Sequence, residues 1–185
     1  IFSIFTTMLK KTVVFLLLII TSSLSSQEWT QDNEQTKVLF IIKNFGISVD
    51  GVFNKATIKT NFNYKDLSNS YINAVVMVNS ISTGIDGRDK HLLEEDYFDA
   101  INYTKIRLES SKIEENTDGD LILFATLSIK GITKKIEIPI DVSEKNSTLI
   151  LSASMTLNRK DFNVGGRSFV LSNNVKIQVE YSAIK

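Results

Sequence analysis

Apolar residues recur at every second position along most of this chain, and this pattern constrains the fold more than any other feature. The odd positions from 121 to 129 are Leu, Leu, Ala, Leu and Ile, and the even positions from 136 to 142 are Ile, Ile, Ile and Val. Successive side chains of a β-strand point to opposite faces of a sheet, so a period of two indicates strands with one apolar face. The pattern therefore predicts an all-β protein.

Eight segments with this alternation predict eight strands. Short polar turns join many of them, which favours antiparallel neighbours. We expect an eight-stranded antiparallel barrel, because closure removes exposed strand edges. Residues 88–96 have helical propensity and predict a short helix between the third and fourth strands. The predicted strands span residues 37–43, 52–63, 71–81, 105–114, 121–129, 136–142, 149–157 and 175–183.

Pro139 falls inside the sixth predicted strand. Proline has no N–H to donate to a ladder, so we expect a bulge or a seam between strands at this position. An exposed seam there leaves a homodimer open.

The first 26 residues have the pattern of a secretory signal peptide. Two lysines follow Met8, then comes the apolar run Val13–Ile20, and small residues follow it. The run is much shorter than the roughly 20 residues of a membrane span, so a cleaved signal is favoured over a membrane anchor. The residues before Met8 are interpreted as lying upstream of the start codon or, alternatively, as extending the signal. Residues 27–185 are then expected to form one domain that is periplasmic or secreted.

Composition excludes several kinds of site. The 185 residues contain no Cys and a single His, His91, which excludes disulfides, thiolate nucleophiles, Cys-ligated zinc and multi-His metal centres within the chain. Lys plus Arg and Asp plus Glu both number 21, so no basic field attracts nucleic acid. No nucleophile–base pair can be argued from spacing. We predict a binding protein that is not an enzyme and that uses neither cofactor nor metal.

Four segments carry a family resemblance. They read SVDGVF at 48–53, NSISTG at 79–84 followed by RDKHL and DYFD at 88–99, ATLSIKGITK at 125–134, and NRKDF at 158–162. In order and spacing they resemble the YceI-like family of bacterial secreted lipocalin-like proteins, from about Glu28 to the C-terminus. Asn44, where many members have His, and Ala125, where Gly is usual, depart from the family pattern.

The resemblance implies an elongated lipocalin-like barrel around an apolar pore. The pore would hold an isoprenoid or another long-chain lipid, such as a fatty acid, and no enzymatic activity is established for the fold. The alternative is a filled barrel that acts as a stress-related or interaction protein without a small ligand. Ala74, Ala125 and Ala153 face inward and are interpreted as leaving room for a chain. The residues expected to line the pore are Phe40, Ile42, Phe53, Ile58, Phe62, Val76, Val78, Leu108, Leu127 and Met155.

Arg88 and His91, in the predicted helix, are candidates for binding a polar head group at the mouth of the pore. A guanidinium offers a fork of donors suited to a carboxylate or phosphate. Alternatively, Arg88 and Asp89 make local ion pairs that fix the helix against the rim. The same choice applies to Arg159 and its neighbours, which either flank the opening or form a bulge and turn in which Asp161 caps backbone amides.

Overall fold

Eleven β-strands form the computed structural model, which describes residues 29–185. Within this part of the chain there is one short α-helix, α1 (Asp86–Leu92), between β6 and β7. The predicted signal peptide lies outside the described residues. The strands are β1 (Thr30–Gln31), β2 (Lys37–Asn44), β3 (Ile47–Phe53), β4 (Ala56–Thr60), β5 (Ile72–Met77), β6 (Ile81–Ser82), β7 (Lys105–Glu115), β8 (Leu121–Ile129), β9 (Ile132–Lys145), β10 (Thr148–Asn158) and β11 (Leu171–Ile184).

All the strand pairs are antiparallel and belong to one curled sheet. Its order is β4-β5-β7-β8-β9-β10-β11-β2-β3-β6, with β1 paired to β11. Hydrogen bonds from Asn54 N to Ser80 O and from Met77 N to Lys55 O join the β3–β4 junction to the β5–β6 junction. The all-β class, the antiparallel pairing and the short helix are confirmed.

The predicted number of strands, eight, is wrong. The second predicted strand is broken into β3 and β4, and the third into β5 and β6 by the 3₁₀ turn Val78–Ser80. The hydroxyl of Ser80 accepts from the N–H of Lys55 and donates to the carbonyl of Met77. The Ser80 side chain thus replaces ladder hydrogen bonds at both breaks. The alternation of apolar residues in the sequence does not reveal such a replacement. The two residues of β1 are too few to have a period.

Pro139 lies where two neighbouring strands separate. The β8–β9 register passes through the Ile122–Pro139 pair without a shift, so there is no bulge there. Pairing between β9 and β10 covers Ile140–Lys145 and ends at the residue after the proline. The predicted seam is therefore present between β9 and β10. Ile132 and Ile136 of β9 pack here with buried Phe162.

One half of the sheet interior is filled by buried apolar side chains, and we call it the packed half. It lies where β10 begins and β11 ends, and Trp29, Leu67 and Val142 pack against it. Burial of this surface, worth roughly 25 cal/mol per Å², is the main stabilising contribution. The packed half consists of Ile58, Phe62, Ile72, Ile113, Leu121, Leu123, Ala125, Ile138, Ile140, Leu149, Leu151, Tyr181 and Ala183.

The three small inward-facing alanines belong to this packed half. Ala125 is part of it, and Ala74 and Ala153 pack against it. Ala74 is paired with Ile58 on one side and Leu108 on the other, so larger neighbours occupy the space that the small side chain leaves. These alanines do not make room for a ligand, contrary to the expectation from the sequence.

Tyr181 supplies a test of the packed half. Its side chain is buried, and its hydroxyl has no hydrogen-bond partner among the described residues. Burial also raises the pKa of this phenol above its ordinary value of 10.0. We expect Tyr181→Phe to increase the free energy of unfolding by about 1 kcal/mol, because a buried polar group without a partner destabilises the fold.

The same substitution should change the dependence of stability on pH. Above pH 10 the unfolded phenol ionises more readily than the buried one, so the wild type loses stability as pH rises through this range. Tyr181→Phe should lose less. Thermal unfolding of both proteins below and above pH 10 measures the effect. Identical midpoints at every pH would contradict it.

Candidate ligand-binding cavity

The other half of the interior contains a cavity of about 320 Å³. It lies where β10 ends and β11 begins, at the opposite end of these strands from the packed half. Its wall is mainly apolar and includes side chains of β2, β3, β6, β7, β8, β10 and β11. The wall includes Phe40, Phe53, Ile106, Ile129, Leu157, Val175 and Ile177.

Three phenylalanine rings support one side of this wall. The centroids of Phe40 and Phe53 are 5.6 Å apart, and Phe53 meets Phe98 edge to face at 5.9 Å. Phe40 and Phe53 come from paired strands, whereas Phe98 follows α1 in sequence. Because each ring contacts another, the aromatic side chains hold one another in position and keep the cavity open.

Gly51 makes room for the Phe40 ring. The two residues are paired across β2 and β3, and a Cβ at Gly51 would lie 2.1 Å from Phe40 Cζ. We expect Gly51→Ala to displace the ring and to destabilise the fold by about 1–3 kcal/mol, as overpacking does. Chemical denaturation measures this effect. Gly87→Ala is the control, since nothing lies within 4 Å of a Cβ there. Equal unfolding free energies for the two variants would contradict the assignment.

The cavity brings together five of the residues that the sequence proposed for the pore. These are Phe40, Ile42, Phe53, Arg88 and His91. The others face inward or are buried elsewhere. Ile58 and Phe62 belong to the packed half, and Leu108 and Met155 pack against it. Val76 packs with Phe40 and Phe53, Leu127 packs with Phe162, and Val78 is buried in the 3₁₀ turn.

Thr83 anchors α1 beside the cavity. Arg88 donates from Nε to the Thr83 hydroxyl at 2.7 Å and from Nη2 to the Thr83 carbonyl at 2.8 Å. Asp89 Oδ1 accepts from the backbone N–H of Thr83 at 2.8 Å and from its hydroxyl. Both charged side chains therefore tie the helix to the end of β6 through one threonine. The helix begins two residues before the predicted range 88–96 and ends at Leu92.

One exposed and one half-buried polar residue, His91 and Arg88, line the cavity at its mouth. The His91 side chain is 55% exposed, and its Nδ1 lies 2.9 Å from Glu94 Oε2. Its ring also meets Tyr97 edge to face. The two Arg88 hydrogen bonds use Nε and Nη2, and Nη1 has no hydrogen-bond partner in residues 29–185. Arg88 can therefore still donate to a ligand at the mouth.

Arg159 lines the cavity from a buried position. It is 5% exposed and lies in the 3₁₀ turn Arg159–Phe162 at the end of β10. The guanidinium donates to five backbone carbonyls at distances from 2.8 to 3.3 Å: those of Val164, Gly165 and Gly166 in the loop that leads into β11, and those of Leu171 and Ser172 at the start of β11. Arg159 therefore holds this loop and the start of β11, where Val164 and Leu171 line the cavity.

Among the residues that the structure describes, no carboxylate lines the cavity beside the charge of Arg159. Burial lowers the pKa of its guanidinium, and Tyr97 opposes this change. An arginine nevertheless stays charged at neutral pH. Asn158, not Asp161, caps the turn, by accepting from the N–H of Lys160.

The electrostatics of the cavity favour an anion. Arg88 and Arg159 line it, and no Asp or Glu of the described chain does. An apolar wall with a few polar groups at one end is the usual construction of a small-molecule site. The arrangement suits a molecule with an apolar body and a negatively charged end. No three His, Cys, Asp or Glu side chains are grouped as a metal site in residues 29–185.

Sequence reasoning did not identify Leu92, Tyr97 and Phe98 as lining residues. They cover the cavity from α1 and the segment after it. The available signal was a pair of aromatic residues flanked by Asp96 and Asp99 in a polar segment.

No helix in the described chain has the length and apolar character to span a bilayer.

Curated proteins of related sequence are members of the UPF0312 group. One from Vibrio parahaemolyticus is 31% identical over 100 residues, which is 54% of this chain and 53% of that protein. One from Shewanella denitrificans is 24% identical over 124 residues, 65% of each chain. The chain thus spans about half the length of the Vibrio relative that it matches.

Solved structures share the fold. BcnA of Burkholderia cenocepacia superimposes with a TM-score of 0.79 at 22% identity, over 83% of this chain and 99% of that one. A polyisoprenoid binding domain from Saccharophagus degradans superimposes with a TM-score of 0.67 at 14% identity, over 84% and 97%. Residues 29–183 match the family model of the YceI-like domain. The chain therefore belongs to the YceI-like domain family.

Proposed function

We propose that this protein binds a single long-chain amphiphile, isoprenoid or fatty-acid-like, and carries or stores it in the periplasm or outside the cell. The cavity of about 320 Å³ is the observation that carries the proposal. A preformed apolar cavity binds an apolar chain by removing its surface from water. The polyisoprenoid binding domain from Saccharophagus degradans, which has the same fold, supports this class of ligand. The signal-peptide pattern of the first 26 residues supports the location.

The ligand is oriented by charge. Its chain lies among Phe53, Ile106 and Ile177, and its head group lies at the mouth beside Arg88 and His91. A carboxylate or phosphate there accepts from the free Nη1 of Arg88. Arg159 adds positive potential from its buried position in the cavity wall, although loop carbonyls occupy its donors.

The size of the cavity limits the chain. Its volume lies at the lower end of the roughly 300–1,000 Å³ typical of small-molecule sites. The enclosed part of the ligand is therefore short, and a longer chain must continue outside the mouth. This volume also opposes the alternative of a completely filled barrel without a ligand.

A chain-length series tests the proposal. Fatty acids and prenyl phosphates of increasing length are titrated calorimetrically into delipidated protein. We expect affinity to rise with length until the cavity is full and then to level off. Fatty alcohols of the same lengths should bind more weakly, because they lack the anionic end. No binding of any member would contradict the proposal, as would an affinity that does not change with length.

A further inference from the structure

Two adjoining loops at the mouth of the cavity expose apolar side chains. The first is the β2–β3 turn at Phe45 and Gly46, and the second is the segment that leads into β11. Asn44 and Leu171, which flank these loops, are paired and both line the cavity. The N–H of Phe45 donates to the carbonyl of Val170 at 2.9 Å. The loops therefore form one continuous rim, which we call the apolar rim.

The exposure of the rim is unusually high for apolar side chains. Phe45 is 74% exposed, Ile47 is 71% exposed, and Phe169 is completely exposed. Val170 adds a further partly exposed apolar surface. Isolated exposed apolar residues are common, but a contiguous group beside a binding site indicates a contact surface.

Phe45 occupies a backbone position that does not suit it. Both residues of the turn have positive φ, 51° at Phe45 and 78° at Gly46. A two-residue hairpin turn of this kind favours Asn-Gly, because a bulky L-residue is disfavoured in the left-handed region. Folding alone therefore favours asparagine at position 45. An aromatic side chain at this tip is better explained by a contact outside the domain.

The charges of the rim indicate what it contacts. Lys43 lies two residues before Phe45 and is exposed, and Arg167 lies two residues before Phe169 and is also exposed. Neither 43–48 nor 164–172 contains Asp or Glu. Aromatic side chains next to basic ones are typical of segments that insert into the interface of an anionic bilayer.

We propose that the apolar rim docks this protein onto the surface of an anionic lipid bilayer. Phe45 and Phe169 insert among the lipids, and Lys43 and Arg167 contact the phosphates. The mouth of the cavity then faces the bilayer, so an apolar chain passes between them with little exposure to water. A second copy of the chain fits less well, because four side chains at two loop tips cover less than the about 800 Å² per partner of a stable dimer.

Vesicle flotation tests the docking. Purified protein, with the same N-terminus in every variant as verified by intact mass, is mixed with vesicles of phosphatidylethanolamine and phosphatidylglycerol in equal parts. We expect the wild type to float and the double variant F45N/F169S to bind at least about tenfold more weakly, since two aromatic side chains no longer leave water. F45N places the preferred residue in the turn, so this variant should fold.

Two further variants separate the contributions. I150S/I184S removes two exposed apolar side chains at the packed end and should float like the wild type. K43Q/R167Q should bind the anionic vesicles more weakly than the wild type does. It should bind phosphatidylcholine vesicles as well as the wild type does.

Three results would overturn the docking. The first is a wild type that does not float, and the second is equal flotation of F45N/F169S. The third is a wild type that does not bind vesicles but forms a dimer, measured by analytical ultracentrifugation, which the F45N/F169S substitutions abolish. Binding of amphiphiles in solution is measured separately, so docking and the proposed function can each fail without the other.

Discussion

Replacing Val49 with tryptophan should strongly weaken binding of an amphiphile while leaving the fold intact. Val49 lines the cavity from β3, and the added indole occupies space that the ligand's chain would take. We expect the affinity for a fatty acid or prenyl phosphate to fall by about tenfold or more, since a filled cavity no longer removes the chain from water. Calorimetric titration of delipidated protein measures the loss.

Val52→Trp is the matched control for this substitution. Val52 lies on the same strand, three residues further on, and does not line the cavity. Its variant should keep the affinity of the wild type. Circular dichroism and the unfolding midpoint verify that both variants fold. Full affinity in Val49→Trp, or an equal loss in both variants, would show that the ligand binds elsewhere.

Removing the Arg159 guanidinium should be the most destabilising single change at the site. Arg159→Met removes the donor from five backbone carbonyls, three in the loop between β10 and β11 and two at the start of β11. Val164 and Gly165 are buried, and buried carbonyls without donors are costly, so we expect a loss of about 3 kcal/mol in the free energy of unfolding. Backbone amides of the loop and of the start of β11, residues 164–172, should also exchange hydrogen faster.

Lys160→Met is the control for the arginine. Lys160 is the next residue and makes one 3.3 Å hydrogen bond to the carbonyl of Gly165. It should change stability by no more than about 0.5 kcal/mol, as surface substitutions usually do. Arg159→Lys should not restore stability, because one ammonium cannot reach carbonyls arranged around a planar fork. Equal unfolding free energies for Arg159→Met and Lys160→Met would contradict this role for Arg159.

Alternation predicted which side chains face inward, but not whether each one lies at the cavity end or at the packed end of the interior. Phe40 and Phe62 both lie on apolar faces, yet one lines the cavity and the other fills the packed half. The position of a side chain between these two ends depends on the register between strands. Turns set this register, and so do breaks such as the one at Ser80. The interior is therefore half filled and half hollow, which the sequence alone did not indicate.

The role of Arg159 was also hidden in the sequence. The run from Arg159 to Asp161 has the charge pattern of an exposed turn. The guanidinium is nevertheless buried, because its partners are backbone carbonyls, which have no signature in the sequence. The place of Arg88 beside the binding site could be predicted from the sequence, because its helix was predicted and its segment resembles the family.

Native mass spectrometry tests the central claim most directly. The protein is expressed with its N-terminal segment in a Gram-negative host, purified without detergent or solvent, and compared with Val49→Trp and Val52→Trp. We predict a bound amphiphile of discrete mass on the wild type and on Val52→Trp. Denaturing extraction should release it, and Val49→Trp should lack it. A wild type that carries no ligand, and that acquires none from fatty acids or prenyl phosphates, would contradict a binding role for the cavity.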